Sequence, residues 1–442
     1  MTRRSNLLRW VVQGPNFVRA YHAVKRNNGA PGVDGARAED LPRYLPRHWE
    51  RIKAEILSGT YRPQAVRGVQ IPKPNGGTRQ LGIPTVIDRL IQQSIHQQLS
   101  PIFEPIFSDY SYGFRAKRSA HQALEQANKY INSGRQWIID LDLKSFFDLV
   151  NHNKLMELIA RKIGDKLLLQ LLRRYLKSGM QEGDKIIPRR QGTPQGGPLS
   201  PLLSNILLNE LDKELEKRGH QFVRYADDCS IFLTSKRAAE RVLASIIRFL
   251  EDKLYLKVNQ EKTSICRPIN FVLLGHSFVP SYQKGDKGKY RQSVAKKSWR
   301  RLKEKVKIIT RKTTSLTFDE RIEQLNQLLR GWVHYFRYAS CDTKLKALDA
   351  WIRSRLRYCI WKSWKRPKRR LRAFRQLGVK ESWAYRYAYS RKGGWRIANS
   401  QIMRTTITEE VLRKRGYVSF LEYYRKLKYG KPKASNIRRK RK

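Results

Sequence analysis

The chain has 442 residues, of which 92 are Lys or Arg and 37 Asp or Glu, giving a formal net charge of +55. At 40% hydrophobic residues it can bury real cores, which excludes a disordered polyelectrolyte, and no run of about 18 apolar residues is present to span a membrane. A field of this sign concentrates polyanions, so nucleic acid is the expected partner and a membrane surface the plainer rival. In chain order, the start MTRRSNLLRWVVQGPNFVRAYHAV is too mixed for a secretory signal, with a transit peptide the weaker alternative. KPNGGTRQ (73–80) reads as a turn joining two strands, with NGG at its tip. HQALEQANKYINSG (121–134) reads as a helix stopped by glycine, residues 137–143 as a strand, and Asp148 as a cap for a helix beginning near Leu149. Ser200 and Pro201 read as the N-cap and first residue of a helix whose Leu203, Leu207, Leu211 and Leu215 recur every four residues until Gly219. Strands follow at 222–225, 229–233 and 271–278. Thr317 and Glu320 form a capping box for a helix with the apolar stripe Ile322, Leu325, Leu329, Trp332, Val333 and Phe336. The mixed order favours an α+β fold.

The basic excess is uneven. Residues 281–442 hold 48 Lys and Arg against 11 Asp and Glu, whereas residues 1–280 hold 44 against 26. An acid-bearing core is therefore followed by a basic appendage. Within it, WIRSRLRYCIWKSWKRPKRRLRAFR (351–375) interleaves aromatic and cationic residues. Such a stretch serves nucleic-acid binding, a Trp core face with a solvated basic face, or both. KPKASNIRRKRK (431–442) reads as a disordered basic arm. Cys229, Cys266, Cys341 and Cys359 form no CxxC pair, so free thiols in a reducing cytosol are expected, with no zinc site or disulfide framework.

Two stretches put acids where an apolar strand is expected. In FVRYADDCSIFL (222–233), Asp227 and Asp228 sit side by side at the crest of a hairpin. In WIIDLDLKSFFDLVNH (137–152), Ile139, Leu141 and Leu143 share one strand face and Asp140 and Asp142 the other. Asp227 and Asp228 read either as turn residues or as metal ligands. If Asp142 meets them, their mutual repulsion calls for a cation, and hard carboxylate oxygens suit Mg²⁺. Asp140 and Asp148 read as structural.

YADD (225–228), preceded by DLDLKSFF and by QGTPQGGPLSPLLSNILLNELD (191–212), closely resembles the reverse transcriptases encoded by bacterial group II introns. GAPGVDG (29–35), IPKPNGGTRQLGIPTVIDRLIQQSI (71–95), SDYSYGFRAKRSAHQAL (108–124), LKVNQEKT (256–263), FVLLGHSF (271–278) and LNQLLRGWVHYFRY (325–338) agree with it. The resemblance implies a right-hand polymerase, with fingers and an antiparallel palm sheet, followed by a helical thumb/maturase domain and a basic C-terminal domain. The expected division is 1–105 for an N-terminal extension and fingers, 106–285 for palm and remaining fingers, 286–365 for thumb/maturase, 366–430 for a DNA-binding domain and 431–442 for a tail. It implies Asp142, Asp227 and Asp228 as catalytic acids holding two Mg²⁺ ions, with Mn²⁺ as a substitute. Lys73, Arg79, Ser145, Phe146, Phe147, Gln195 and Lys262 would contact the nucleotide, Phe147 as the gate that rejects a 2′-hydroxyl. Arg67, Arg115, Gly196, Ala226 and Gly275 would lie along primer and template. His276 stands where relatives usually have an aromatic residue.

The function so implied is RNA-directed DNA synthesis joined to splicing and retrohoming of a group II intron. Its partners are intron RNA, an RNA template with DNA primer, target DNA and dNTPs, in a bacterial cytoplasm and with no membrane. The absence of Cys and His pairs near the end of the sequence resembles the class C group, which lacks a nuclease domain. A non-enzymatic splicing factor and a host-adapted reverse transcriptase of defence or repair are the alternatives. The intact acids argue against the first, and genomic neighbours discriminate the second. No residue pattern speaks to oligomeric state.

Overall fold

The computed structural model describes residues 6–72, 76–282 and 284–430. They fall into two units, Met1–Phe271 and Val272–Lys442. The arm expected at 431–442 lies outside the described residues.

In the first unit β1 (Val66–Pro72) and β2 (Thr78–Ile83) form an antiparallel hairpin, in register from Arg67 opposite Ile83 to Pro72 opposite Thr78. Gly76 and Gly77 both carry positive φ, which is what a tight turn at this tip requires. The strands expected on either side of the turn at 73–80 are therefore paired as read, while residues 73–75 of the turn lie outside the described residues. A second sheet is built from β3 (Trp137–Leu141) together with strands that come later in the chain. β4 (Met180–Glu182) and β5 (Lys185–Ile187) extend the first sheet, β4 pairing in parallel with β1. β6 (Gln221–Tyr225), β7 (Asp228–Leu233) and β8 (Ser264–Cys266) join β3 in an all-antiparallel sheet of order β6-β7-β3-β8.

Alternation decides what each face of that sheet does. Ile139, Ile231 and Phe222 stand opposite one another across three strands and enter the main core, as do Leu141 and Cys229. On the other face Phe232 meets Tyr130 of helix Ala120–Asn132, ring centroids 5.4 Å apart. Asp140 and Ser230 share that second face, opposite one another in register. Helix Ser200–Lys217 is buried along nearly its whole length, Leu203, Leu207, Leu211 and Leu215 included.

Three local expectations are corrected. Ser200 is the first helical residue rather than the N-cap, because its hydroxyl donates to the Pro194 carbonyl (2.6 Å) and closes the preceding loop. Asp148 caps nothing: it lies inside the four-residue helix Phe146–Leu149, and the next helix, His152–Ala160, is capped by the Asn151 side chain. The strand expected at 271–278 is broken. Leu274 and Gly275, at φ 49° and 77°, turn the chain between β9 (Val272–Leu273) and β10 (His276–Pro280).

In the second unit β10 pairs with β9 on one side and with β11 (Tyr290–Val294) on the other, and the rest is helical. Thr317 and Glu320 make the expected reciprocal cap. Ile322, Leu325, Leu329, Val333 and Phe336 enter the core and Trp332 packs against it. The stretch 351–375 is not one helix. Helix Asp342–Ser363 ends before Trp364, and Pro367 opens the next, Pro367–Gln376. Trp361 is buried, with the Arg370 guanidinium 4.2 Å from its ring centre, so here the Trp core face is realised. Among the described residues no helix is long and apolar enough to cross a membrane.

The first unit hides one complete ion pair. Arg224 of β6 and Asp212 of helix Ser200–Lys217 are both fully buried, joined by Nε to Oδ1 (2.7 Å) and Nη2 to Oδ2 (2.6 Å). Removing one partner strands a charge away from water, at about 3–5 kcal/mol. Asp212→Ala is therefore expected to lower the first unit's stability by that order, read as a shift of its urea unfolding midpoint.

Candidate functional site

The hairpin β6–β7 closes with Tyr225 opposite Asp228, leaving Ala226 and Asp227 at the crest. Ala226 sits at φ 59°, a region a side chain enters only when the surroundings insist. The surroundings are identifiable. The Arg224 guanidinium, fixed by Asp212, also donates to Asn205 Oδ1 (2.9 Å) and to the Ala226 carbonyl (2.8 Å). Asn205 Nδ2 in turn holds the Gly113 carbonyl at 2.9 Å. The segment around Gly113 lies along β6, with Arg224 N–H donating to Tyr110 O and Tyr112 N–H to Arg224 O, both at 2.9 Å. A Cβ on Gly113 would stand 2.2 Å from the Ala226 nitrogen, so only glycine fits beneath the crest.

Beside that crest runs the end of β3. Leu141 is the last residue of β3 paired with β7, opposite Cys229, and Asp142 follows it, close enough for its charge to act on Asp228. Asp142 is held by its backbone: its N–H donates to Thr263 Oγ1 (3.1 Å) and its carbonyl accepts from Asn259 N–H (2.8 Å). Its Oδ2 is buried without a hydrogen bond and lies 3.4 Å from Lys262 Nζ. Asp228 keeps an exposed side chain at the strand's edge, yet partial desolvation by its neighbours, then repulsion by Asp227, Asp140 and Asp142, pushes it up to about 6, and Lys262 pulls it back. Desolvation and Asp142 push Asp140 up to about 6 in the same way. Asp228 thus feels the other three acids, and the two segments singled out in the sequence meet.

Among the described residues no group of three or more Asp, Glu, His or Cys side chains is gathered as a finished metal cage. Mg²⁺ does not need one, since it binds through one or two carboxylates and completes its shell with water and substrate phosphates. An Asp142 Oδ2 that makes no hydrogen bond, and the repulsion that the neighbouring acids exert on Asp228, fit such an ion.

A second cluster forms around the loop 191–198. Thr193 N–H donates to the Phe147 carbonyl (2.6 Å) and Gly192 N–H to Val150 O (2.8 Å). His152 Nε2 lies 2.7 Å from the Gly192 carbonyl. At its far end the loop accepts Gly82 N–H on the Gln195 carbonyl (2.9 Å), which joins it to β2, the strand of Arg79. Phe147 is half-buried, edge-on to the buried Phe146 at 5.2 Å, and Ser145 precedes them at φ 45°. Gly196 is exposed and packs against Gly82 O, where a Cβ would come within 2.8 Å.

The remaining expected residues divide. Arg79 is exposed on its hairpin, and Arg67 is half-buried on β1 with its Nε unpaired. Lys73 lies outside the described residues. Arg115 is turned inward, its side chain only 4% exposed. It donates to Glu104 Oε1 (2.8 Å) and to the carbonyls of Ser111 (2.8 Å) and Ser108, so it braces the chain and is not presented to a strand, a correction to the primer or template role expected of it. Gly275 belongs to the second unit, where it lets the β9–β10 turn close on Ser298, whose hydroxyl donates to its carbonyl at 3.0 Å. His276 is buried against Tyr335 and Phe336. Sequence reasoning missed Arg224, Asp212, Asn205 and Gly113. Arg224 and Asp212 carry a readable signal, a charge inside an apolar strand and another inside a leucine helix.

A family model described as reverse transcriptase (RNA-dependent DNA polymerase) matches residues 71–278, and one for the group II intron maturase-specific domain matches 299–378. The chain belongs to the group II intron-encoded reverse transcriptases. Protein YkfC of Escherichia coli is 33% identical over 319 residues, 63% of this chain and 84% of that one. The group II intron-encoded protein LtrA of Lactococcus lactis is 39% identical over 194 residues, 44% of this chain. The match spans 32% of LtrA. A solved structure titled "Partial Cas6-RT-Cas1--Cas2 complex" overlays 57% of this chain and 43% of that one at 24% identity and a TM-score of 0.38, too slight a likeness to build on. As a family member the chain has the α+β reverse-transcriptase fold ahead of a helical maturase region. Its polymerase domain is an RNA-directed DNA polymerase, a class of enzyme that works with a divalent metal.

Two outcomes follow from the site's construction. For Asp228, a folded pKa near 6 against an ordinary value of 3.8 means that ionisation costs stability. That cost is absent below the ordinary value and complete above about 6. Metal-free Asp228→Asn is therefore expected to melt above the parent at neutral pH, with the difference vanishing as pH falls toward 4. Differential scanning fluorimetry across pH, in chelator, checks this. Gly113→Ala must displace the crest, and misplacement of about 1 Å at a reacting centre costs on the order of 100-fold. Primer extension is expected to fall by that order while circular dichroism stays native.

Proposed function

We propose that the chain extends a DNA primer on an RNA template at the crest of β6–β7, using Mg²⁺ held by Asp142, Asp227 and Asp228. The observation that carries this reading is the electrostatic influence of Asp227, Asp140 and Asp142 on Asp228 at the crest, beside an Asp142 oxygen that makes no hydrogen bond. When bound, the metal supplies positive charge for the triphosphate and lowers the pKa of the primer hydroxyl; two ions are the expected number.

The chain's own residues do the rest. Lys262, 3.4 Å from Asp142, holds the acid's charge in the absence of the metal and is free to turn to the phosphates in its presence. Arg79, exposed on the β1–β2 hairpin, offers a planar fork to the triphosphate, with Lys73 beside it in sequence. Phe147, carried by a helix that the loop 191–198 grips through its carbonyl, stands as the gate against a 2′-hydroxyl. Gln195 and Gly196 line the nucleotide from the same loop, and the small Ala226 leaves room for the primer end. The second unit, with 48 Lys and Arg against 11 acids, binds the intron RNA whose splicing and retrohoming the polymerase serves, and target DNA. The domain division given above belongs to this reading, as does a cytoplasmic, nucleic-acid-associated location.

Primer extension on an RNA template with a DNA primer, dNTPs and Mg²⁺ tests it. Asp227→Asn is expected to abolish product while sparing RNA affinity, and normal extension by that variant refutes the site. Phe147→Ala is expected to incorporate ribonucleotides, and unchanged sugar discrimination refutes the gate.

A further inference from the structure

The helix Glu381–Ala388 of the second unit is built inside out. Its fully buried residues are Ala384 and Ala388, while the large rings of Trp383 and Tyr385 are 48% and 57% exposed, and Tyr389 just beyond is 43% exposed. An ordinary surface helix turns its large apolar side chains inward and its small or polar ones out. Here the inward alanines let the helix lie close to its neighbours and leave Trp383, Tyr385 and Tyr389 outside, with Tyr387 half-buried against the core. Spacing of four pairs them into two rows. Trp383 stacks on Tyr387, with centroids 6.0 Å apart and planes 15° apart, and Tyr385 lies against Tyr389 at 4.6 Å.

The first row continues across a cleft of about 560 Å³, lined by Tyr387, Trp395, Lys392, Arg396, Asn399 and Gln401 among others. Trp395 on its far side is 44% exposed and meets Tyr358 edge-on at 5.8 Å. Cations accompany the rings. The Arg386 guanidinium lies 5.7 Å from the centre of Trp383, and Lys362 Nζ lies 5.8 Å from that of Tyr358. Residues 366–404 contain 12 Lys and Arg and one acid, Glu381. An exposed aromatic patch in such a field fits a polyanion that also carries flat apolar surfaces.

We propose that this row, from Trp383 through Tyr387 to Trp395, is a binding platform for unpaired nucleic acid. Bases stack on the rings, Lys392 and Arg396 hold the phosphates, and Asn399 and Gln401 face base edges. A duplex satisfies only half of this, because its bases already stack on one another and present no free faces. The platform deepens the functional reading above and rests on it for the nature of the ligand: it assigns the basic C-terminal region a single strand.

The test uses the full chain and three labelled probes, oligo(dT), oligo(U) and a blunt hairpin duplex, with affinity followed by fluorescence anisotropy across salt. Trp383→Ala with Trp395→Ala is expected to weaken single-strand binding by ~10-fold or more, with duplex binding and the salt slope unchanged. Lys392→Ala with Arg396→Ala is expected to flatten the single-strand salt slope by about 1.4. Trp383→Phe, which keeps a ring, should retain most of the affinity. If Trp395→Ala fails to fold by circular dichroism, Trp383→Ala alone carries the test. An unchanged single-strand affinity, or an equal loss on the duplex, overturns the proposal. So does self-association of the parent that the ring variants abolish, which would make this face a protein contact. A preference for oligo(dT) or oligo(U) supports it and names the strand. Extension by the parent is measured alongside. Its failure refutes the polymerase reading and leaves the binding result standing, whereas normal extension with no effect of the ring variants refutes the platform alone.

Discussion

The active hairpin depends on one buried guanidinium. Arg224 satisfies its charge with Asp212 and spends its remaining donors on Asn205 and on the carbonyl of Ala226. A crest that holds Asp227 and Asp228 side by side, with Ala226 at positive φ, is pushed apart by its own charge. The opposing force comes from behind the sheet, where no solvent weakens it. A buried pair of this kind is weak evidence for stability in itself, since apolar residues can replace such pairs at little cost. Its value here is direction: an apolar substitute would pack the space without reaching the Ala226 carbonyl. Gly113 completes the support by letting a neighbouring segment lie against the crest at backbone distance.

The loop proposed to face the nucleotide is organised by backbone in the same spirit. The loop 191–198 has few long side chains, yet it is joined to the Phe147 helix at one end and to β2 at the other. Glycines at 192 and 196 permit approaches that a Cβ would block. A residue proposed to discriminate one hydroxyl group must not drift, and the Thr193 N–H bond to the Phe147 carbonyl ties that short helix to the loop. The second unit uses a comparable device: Asp349, buried in helix Asp342–Ser363, accepts from Tyr417, Ser419 and the first backbone N–H groups of helix Phe420–Tyr429. It thereby secures the start of a late helix to the centre of its core.

The elements that were readable are those with a local cause. The capping box at Thr317, the leucine repeat from Leu203 and the glycine turn at 76–77 each act within a few residues, and the structure keeps them. The errors arose where a distant group competed for a local signal. Ser200 has the chemistry of an N-cap, but the Pro194 carbonyl takes its hydroxyl. Arg115 has the charge of a strand-binding residue, but Glu104 and the Ser108 and Ser111 carbonyls enclose it. The segment 271–278 has the composition of a strand, but Leu274 and Gly275 fold it back on itself.

The sequence by itself determined the family and drew attention to the acids, because carboxylates at the crest of an apolar hairpin and on an apolar strand stand out in residue type and spacing. It also determined where the positive charge lies, which needs only counting. The tertiary structure alone decided how the acids are held together. Arg224 and Asp212, 12 residues apart, have no local pattern that pairs them, and Gly113 meets Ala226 only through the fold. It alone decided, too, which aromatic residues of the basic region are core and which face solvent. Trp361 and Trp383 sit in similar company along the chain, yet one is buried and the other half exposed. Burial depends on which neighbours arrive from elsewhere, and these are not written beside the residue they cover.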